Sequence, residues 1–380
     1  LGGVDSFSLL AVPFYILCGV LMNTGGIAQK LIDFAKILVG RIPGGLAHTN
    51  ILGNTLFGSL SGSSVAASVA IGGVLIPMEE KEGYDKKFAA AVNIASAPTG
   101  LIIPPSGILI IYPVLAGCSV VGMIMSGYIP GLMWALACMV VAYVIAKKNH
   151  YPTAGKVPAS VFFKYFVDAI PSLLLIVIIV GGVMSGIFTA TESAAVAVAY
   201  TLFLSIVVYR SIKIKDLPKI LLDACETTAV IMFLIAGSNV MSFVMSFTGL
   251  PSAIGNALIS VSSNKYVILL IINLVLLVVG CFMDITPAVL IFTPIFLPVV
   301  QSFGMDPIHF GIMMVMNLGI GNITPPVGSA LFSGCSVADM DMEDMIKPIL
   351  PFYAAIFVAL MLVAYVPWFS MALPTLFGAV

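Results

Sequence analysis

The sequence predicts an all-α polytopic membrane protein built from two inverted repeats, each a re-entrant hairpin followed by a transmembrane helix broken at a Pro-Pro pair. Three observations predict it. The 380 residues are 60% hydrophobic and only 9% charged, whereas a soluble domain carries about 25% charged residues. "GLIIPPSG" at 100–107 returns as "GNITPPVG" at 321–328, both inside apolar runs. Fifteen of the sixteen Lys and Arg fall on one side of the topology that these segments define.

Each element follows from length and polarity. A crossing needs about 20 apolar residues. The runs at 7–22, 121–146, 169–188, 194–209, 227–247 and 349–369 meet that need. Two more, 88–118 and 307–335, each contain the Pro-Pro break. Residues 44–78 and 265–300 carry Gly, Ser, Asp and Pro near their middles and read as hairpins that enter the membrane and return. The short segments 27–40 and 250–260 precede the hairpins and read as interfacial arms.

Sliding the chain on itself by 221 residues aligns the two halves without a gap for some 30 residues. Pro77 falls on Pro298, Gly83 on Gly304, Asp85 on Asp306, and Pro104-Pro105 on Pro325-Pro326. Ser63, in the middle of the first hairpin, falls on Asp284, in the middle of the second. Five crossings separate those two residues, so the repeats point in opposite directions. On this topology only Lys265 lies apart from the other basic residues, which makes the basic side cytoplasmic. The expected division is a scaffold helix and arm at 1–43, a first mobile half at 44–118, scaffold helices and a second arm at 119–264, a second mobile half at 265–335, and a C-terminal helix at 336–380. The chain opens on Leu1 with no signal peptide in view, so residue 1 is expected to lie within a longer polypeptide.

Paired breaks have a physical meaning. Proline lacks an N–H and clashes with the preceding turn, which frees carbonyls. Free carbonyls at membrane depth are tolerated where they are buried in protein or line a polar cavity. The glycines at 100, 107, 321 and 328 let the backbone unwind and a hairpin tip approach. Pro kinks alone would account for one such break; two equivalent ones, each preceded by a polar-tipped hairpin, point to a site. Inverted repeats with broken helices are a transporter architecture.

The first tip, "GSLSGSSVAAS" at 58–68, offers the hydroxyls of Ser61, Ser63 and Ser64. Oxygen ligands suit a hard cation, although Gly58-x-x-x-Gly62 is also a small-residue packing motif. The second tip, "GCFMDITPAV" at 280–289, holds Asp284. An ionised carboxylate at mid-membrane costs roughly 2.5–3.5 kcal/mol. No Lys or Arg in the neighbouring spans pairs with it, so a bound cation is a natural partner; the competing reading is a half-helix cap. Thr286 and Thr324 add oxygens, and Asn317 stands opposite Ser96 in the repeat. Glu192 is read mainly as a wet loop acid, and Asp339, Asp341, Glu343 and Asp344 as a solvated acidic face. The six cysteines read as small buried hydrophobes and the three histidines as loop or helix-end residues. A net charge of −1 argues against nucleic acid as a partner. The sequence has neither a P-loop nor a His/Cys cluster at metal-ligand spacing, so the chain does not itself spend ATP.

The stretches "GNTLFGSLSGSSVAASVAIGGVLIPMEEKEGYDKKFAAAVNIASAPTGLIIPPS" and "MDITPAVLIFTPIFLPVV…GMDPIHFGIMMVMNLGIGNITPPVG" resemble the large membrane subunit of the TRAP (tripartite ATP-independent periplasmic) transporters. The resemblance spans essentially the whole chain. It implies a sodium-driven, elevator-type uptake transporter of the bacterial inner membrane, not an enzyme. It further implies a small membrane subunit, separate or fused, and a periplasmic binding protein that delivers an organic acid such as a C4-dicarboxylate or sialic acid. By that likeness one Na⁺ lies among Ser61, Ser63, Gly100, Ile103 and Ser106. A second lies among Asp284, Gly321, Thr324, Val327 and Gly328. The substrate binds near Ser64, Ser106, Asn317 and Thr324, and the C-terminus is periplasmic. Three rivals stand beside this reading: a stand-alone sodium/carboxylate symporter, an ion-translocating subunit of a larger complex, and an intramembrane enzyme using Asp284 and Glu192.

Overall fold

The computed structural model describes residues 7–153, 159–249, 253–254, 257, 262 and 264–379. Most of the expected second arm at 250–260 lies outside them. A 3₁₀ turn, Phe7–Leu10, leads into α1 (Ala11–Thr24), which bends by 72° into α2 (Ile27–Val39). Gly26 turns the corner at φ +72°, and the Ser211 hydroxyl holds the bend by donating to Gly25 O at 2.6 Å. The arm read from sequence at 27–40 is therefore a helix set across α1.

The first hairpin is α3 (Gly45–Ser61) and α4 (Ser64–Lys81). Gly62, at φ +64°, closes α3, and Ser63 caps α4 by accepting from Ala66 N at 3.2 Å. After Asp85 the first broken helix runs as α5 (Lys86–Ser96), α6 (Thr99–Ile102) and α7 (Ile108–Ala116). The break is a short extended stretch starting at Ile103. The chain then crosses in α8 (Val120–Ser126) with α9 (Tyr128–Lys148), α10 (Ala159–Met184), α11 (Ala190–Phe203, continuing as a π-turn to Val208) and α12 (Leu217–Thr248). The second half repeats the first: hairpin α13 (Lys265–Phe282) and α14 (Ile285–Ser302), then a broken helix, α15 (Pro307–Asn322) and α16 (Ser329–Val337). Helices α17 (Met342–Tyr365) and α18 (Trp368–Leu376) end the chain. Seven helices among the described residues are long and apolar enough to cross a membrane, or eight if the bent α1–α2 pair is one span. Several helices run longer than their apolar runs suggest: α10, α12 and α17 begin ten, ten and seven residues before 169, 227 and 349.

Packing interlocks the halves. Within each, the hairpin's first arm lies on its own broken helix, α3 on α5 and α6, α13 on α15. Across the halves, α4 packs on α16 and α14 packs on α7. Each hairpin's second arm thus rests on the other half's post-break helix. Close approach at the breaks needs glycine. A Cβ on Gly58 would stand 2.9 Å from Gly100 Cα, and one on Gly280 would stand 3.0 Å from Gly321 Cα. Buried amides tie the same pairs: Asn54 donates to Ser96 Oγ at 2.9 Å and Asn93 Oδ1 at 3.0 Å, and Asn317 donates to Asn273 Oδ1 at 2.6 Å. Trp134 on α9 is fully buried and donates to Ala95 O at 2.9 Å, buttressing the first broken helix from outside. Four cysteines are buried as expected, but Cys225 is exposed on α12.

Candidate functional site

The two hairpin tips meet at one cavity of about 330 Å³. Ser61 to Ala66 line it from the first hairpin, Asp284 to Thr286 from the second, and Leu101, Pro105, Gly107 and Ile108 from the first break. Its far wall is Tyr15, Gly19 and Asn23 of α1 with Thr227 and Ile231 of α12. The cavity therefore lies between the interlocked halves and two helices outside them. None of its described lining residues is Lys or Arg, and Asp284 pairs with no basic side chain among the described residues.

Three helices start in this lining: α4 at Ser64, α7 at Ile108 and α14 at Ile285. A helix N-terminus carries roughly half a positive charge on its unpaired N–H groups, which favours anions. The carboxylate and the hydroxyls favour a cation. The site thus presents both kinds of attraction without a single basic side chain.

At the first tip Gly62 lies against the break: a Cβ there would stand 3.2 Å from Gly107 N. Pro104 and Pro105 provide no N–H, so Gly100 O and Leu101 O lose their helical donors. Ser61 Oγ reaches only Gly58 O, at 3.5 Å, and its backbone carbonyl approaches α1 at Gly19. Ser106 is fully buried, and its hydroxyl makes no hydrogen bond among the described residues. A buried, unpaired hydroxyl costs about 1–3 kcal/mol, and Ser106 directly follows the Pro-Pro pair of the break. Ser61 and Ser63 line the cavity, and Gly100 lies against the backbone of Gly58 and Ser59; the Ile103 side chain lies instead against Gly131 of α9, and Ser106 stays buried within the break.

At the second tip Asp284 takes the N-cap position of α14, yet its side chain caps no backbone N–H. It accepts instead from the Ser329 hydroxyl at 3.1 Å, and it is otherwise exposed to the cavity. The cap reading of Asp284 holds for its place in the chain and not for its side chain. Val327 N and Gly328 N donate to Cys281 O at 3.3 and 3.2 Å, pinning the hairpin to the break. Thr324 Oγ donates to Ile320 O at 2.6 Å, and Ile323 O accepts from the Tyr353 hydroxyl. Gly321 and Gly328 frame the same turn, with Val327 half exposed.

Gly100, Ile103, Ser106, Gly321, Thr324, Val327 and Gly328 stand at the breaks and do not line the cavity, and two further candidates are held elsewhere. Asn317 is fully buried below the break, its amide turned to Asn273. Glu192 is distant from Asp284 in role and contact: with Thr189 it forms a capping box, accepting from Thr189 N at 2.8 Å while Thr189 Oγ accepts from Glu192 N at 3.2 Å. The carboxylate pair that an intramembrane enzyme would need is thus not assembled, since Glu192 serves the first turn of α11.

Asn322 and Ser329 escaped the sequence reading. Asn322 Nδ2 donates to Ser64 Oγ at 2.8 Å, and Asn322 Oδ1 accepts from the Ser329 hydroxyl and from Ala330 N at 3.3 Å. A continuous chain, Ser64–Asn322–Ser329–Asp284, therefore joins the two tips. The signal was available: in the repeat, Asn322 and Ser329 stand where the first half has Leu101 and Ile108. Polar residues that break an internal symmetry at a broken helix mark a place where the halves do different work.

Paired re-entrant hairpins, paired broken helices and a central cavity walled by separate helices define a membrane transporter of the inverted-repeat class. Comparison with known proteins specifies the family. Residues 1–369 match the family described as "DctM: Tripartite ATP-independent periplasmic transporter, DctM component". The sialic acid TRAP transporter large permease protein SiaM of Vibrio cholerae is 40% identical, over 99% of this chain and 88% of its own. The C4-dicarboxylate TRAP transporter large permease protein DctM of Pseudomonas aeruginosa is 39% identical, over 98% and 88%. The chain belongs to the DctM family of TRAP transporter large permeases. In structure it is similar to the YdaH transporter of Alcanivorax borkumensis, whose crystal structure is described as having an unusual topology. The TM-score is 0.65 at 12% identity, over 97% of this chain and 86% of that one. That likeness concerns the fold alone.

Proposed function

We propose that this chain is the substrate- and ion-carrying subunit of a sodium-coupled uptake system for an organic acid in the bacterial inner membrane, with its basic loops cytoplasmic and its C-terminus periplasmic. The observation that carries the proposal is the cavity itself: an exposed carboxylate, serine hydroxyls and helix N-termini meet there without a basic side chain. A carboxylate substrate brought next to Asp284 with no Lys or Arg present needs cations to offset the like charges. The donor set fits sodium, a hard ion served by hydroxyl, carboxylate and backbone carbonyl oxygens. Ser61, Ser63, Gly100, Ile103 and Ser106 would hold one ion, and Asp284, Gly321, Thr324, Val327 and Gly328 a second. Ser64 would meet the substrate in the cavity, Ser106 and Thr324 would back it from the two breaks, and Asn317 would support the second break.

The two halves would move as one body against α1 and α12, an elevator reading supported by the packing of each hairpin's second arm on the other half's post-break helix. Relatives named for sialic acid and C4-dicarboxylate support the organic-acid class. Family membership supports a small membrane subunit and a periplasmic binding protein as partners. An isethionate TRAP transporter permease protein DctMQ, of which this chain covers 59%, supports a partner fused in some members.

The test is uptake into proteoliposomes containing this chain and the small subunit. Uptake of labelled organic acids is expected to require both an inward sodium gradient and the loaded binding protein. Uptake that persists without the binding protein would favour the stand-alone symporter, and current without substrate would favour an ion-translocating subunit.

A further inference from the structure

We propose that Asn322 and Ser329 couple the two ion half-sites, so that a cation at the second tip orders the first. This rests on the sodium reading above. A serine hydroxyl carries one proton, yet Ser329 Oγ stands within donor distance of two acceptors, Asp284 Oδ1 and Asn322 Oδ1. Only one can receive it at a time. A bare carboxylate is the stronger acceptor, because a hydrogen bond to an ionised group is roughly twice as strong as a neutral one. Asp284 with no cation beside it therefore competes for this proton with the Asn322 oxygen, although the Asn322 oxygen lies nearer. Whenever Asp284 takes the proton, Asn322 Oδ1 keeps only the longer bond from Ala330 N at 3.3 Å.

With its charge offset by a cation, Asp284 would lose this advantage, and the Ser329 hydroxyl would donate to Asn322 Oδ1 alone. The amide is then held by two donors on its oxygen and by Ser64 Oγ on its nitrogen. An amide so fixed cannot flip, so its Nδ2 stays on Ser64, and the buried Ser64 must direct its own proton elsewhere. Ser64 directly follows Ser63 of the first ion set, so fixing Ser64 would order the first tip before its ion arrives, with the ordering entropy already met. Linkage makes the effect reciprocal. The first half has apolar Leu101 and Ile108 at the equivalent positions, so the coupling runs through one link and not two.

The experiment is a sodium titration of the thermal stability of the purified full chain in nanodiscs, at constant ionic strength. Variants Ser329→Ala, Ser329→Thr and Ser64→Ala stand beside the parent. The parent is expected to give a sigmoidal curve. Ser329→Ala is expected to respond to sodium hyperbolically, with its midpoint about fivefold higher, the lower end of usual coupling factors. Ser329→Thr keeps the hydroxyl and is expected to restore the sigmoid. Ser64→Ala cuts the link at its other end and is expected to flatten the curve as well, which serves should Ser329→Ala not fold. Parent-like cooperativity in either alanine variant would overturn the proposal. A parent curve that responds to sodium without cooperativity would overturn the link and leave the sodium reading standing. A parent indifferent to sodium would overturn both.

Discussion

Alanine at Gly58 or Gly280 tests whether the halves are locked at their breaks. The new Cβ atoms would sit 2.9 Å from Gly100 Cα and 3.0 Å from Gly321 Cα. Carbon atoms rest at about 3.5–4.0 Å, so each methyl intrudes by roughly half an ångström or more. The obstacle is backbone on a buried helix, with no flexible side-chain end to swing away. Overpacking of this kind costs about 1–3 kcal/mol. Because the displaced backbone is the break to which the proposed ion site is assigned, that proposal expects the sodium midpoint to rise together with the loss of stability. Gly237 is the control: it is an exposed interior residue of α12, and a methyl group added there would meet nothing within 4 Å. Alanine at that position should be neutral or stabilising by about 0.4–1 kcal/mol. The assay is thermal unfolding in nanodiscs with and without sodium. Gly58→Ala and Gly280→Ala as stable and as sodium-sensitive as the parent would refute the close approach.

Three other substitutions separate structure from function. Glu192→Ala removes one half of the capping box of α11 and should lower stability by about 0.5–2 kcal/mol while sodium-driven uptake survives; loss of uptake in a stably folded variant would return Glu192 to the site. Asn54→Ala strips donors from Asn50, Asn93 and Ser96 in a fully buried position and should cost about 1–3 kcal/mol, read by thermal unfolding. Lys87→Ala breaks a 2.7 Å ion pair with Asp344 whose side chains are both about half exposed, and stability should change by less than about 1 kcal/mol, less still in high salt.

The architecture was legible because its signals are covalent or compositional. Proline cannot donate, so Pro104-Pro105 and Pro325-Pro326 mark the breaks in any packing. The glycines and hydroxyls of the tips announce a polar turn inside an apolar run. Tertiary contact was not legible. Asn317 and Ser96 share a repeat position, but an amide's direction depends on the neighbour it meets, and Asn317 meets Asn273. Glu192 reads as a charged residue beside a membrane span until Thr189 is seen to complete a capping box. Asn322 has an apolar counterpart in the first half; that mismatch is visible in the sequence, but the link it makes between the tips shows only in its contacts with Ser64 and Ser329. The bend after α1 is set by Gly25 and Gly26 against the 205–211 turn, a contact across some 186 positions of sequence.

The central claim is that the paired tips and breaks hold sodium, with Asp284 as the charged ligand. Its most direct measurement is the thermal stability of the purified chain in Na⁺ against K⁺ at equal ionic strength, with Asp284→Ala beside it. A ligand at a hundred times its Kd stabilises by about 2.7 kcal/mol. The parent should gain stability of that order in Na⁺ and none in K⁺, and Asp284→Ala should lose much of the gain. Superimposed Na⁺ and K⁺ curves for the parent, or an undiminished Na⁺ shift in Asp284→Ala, would contradict it.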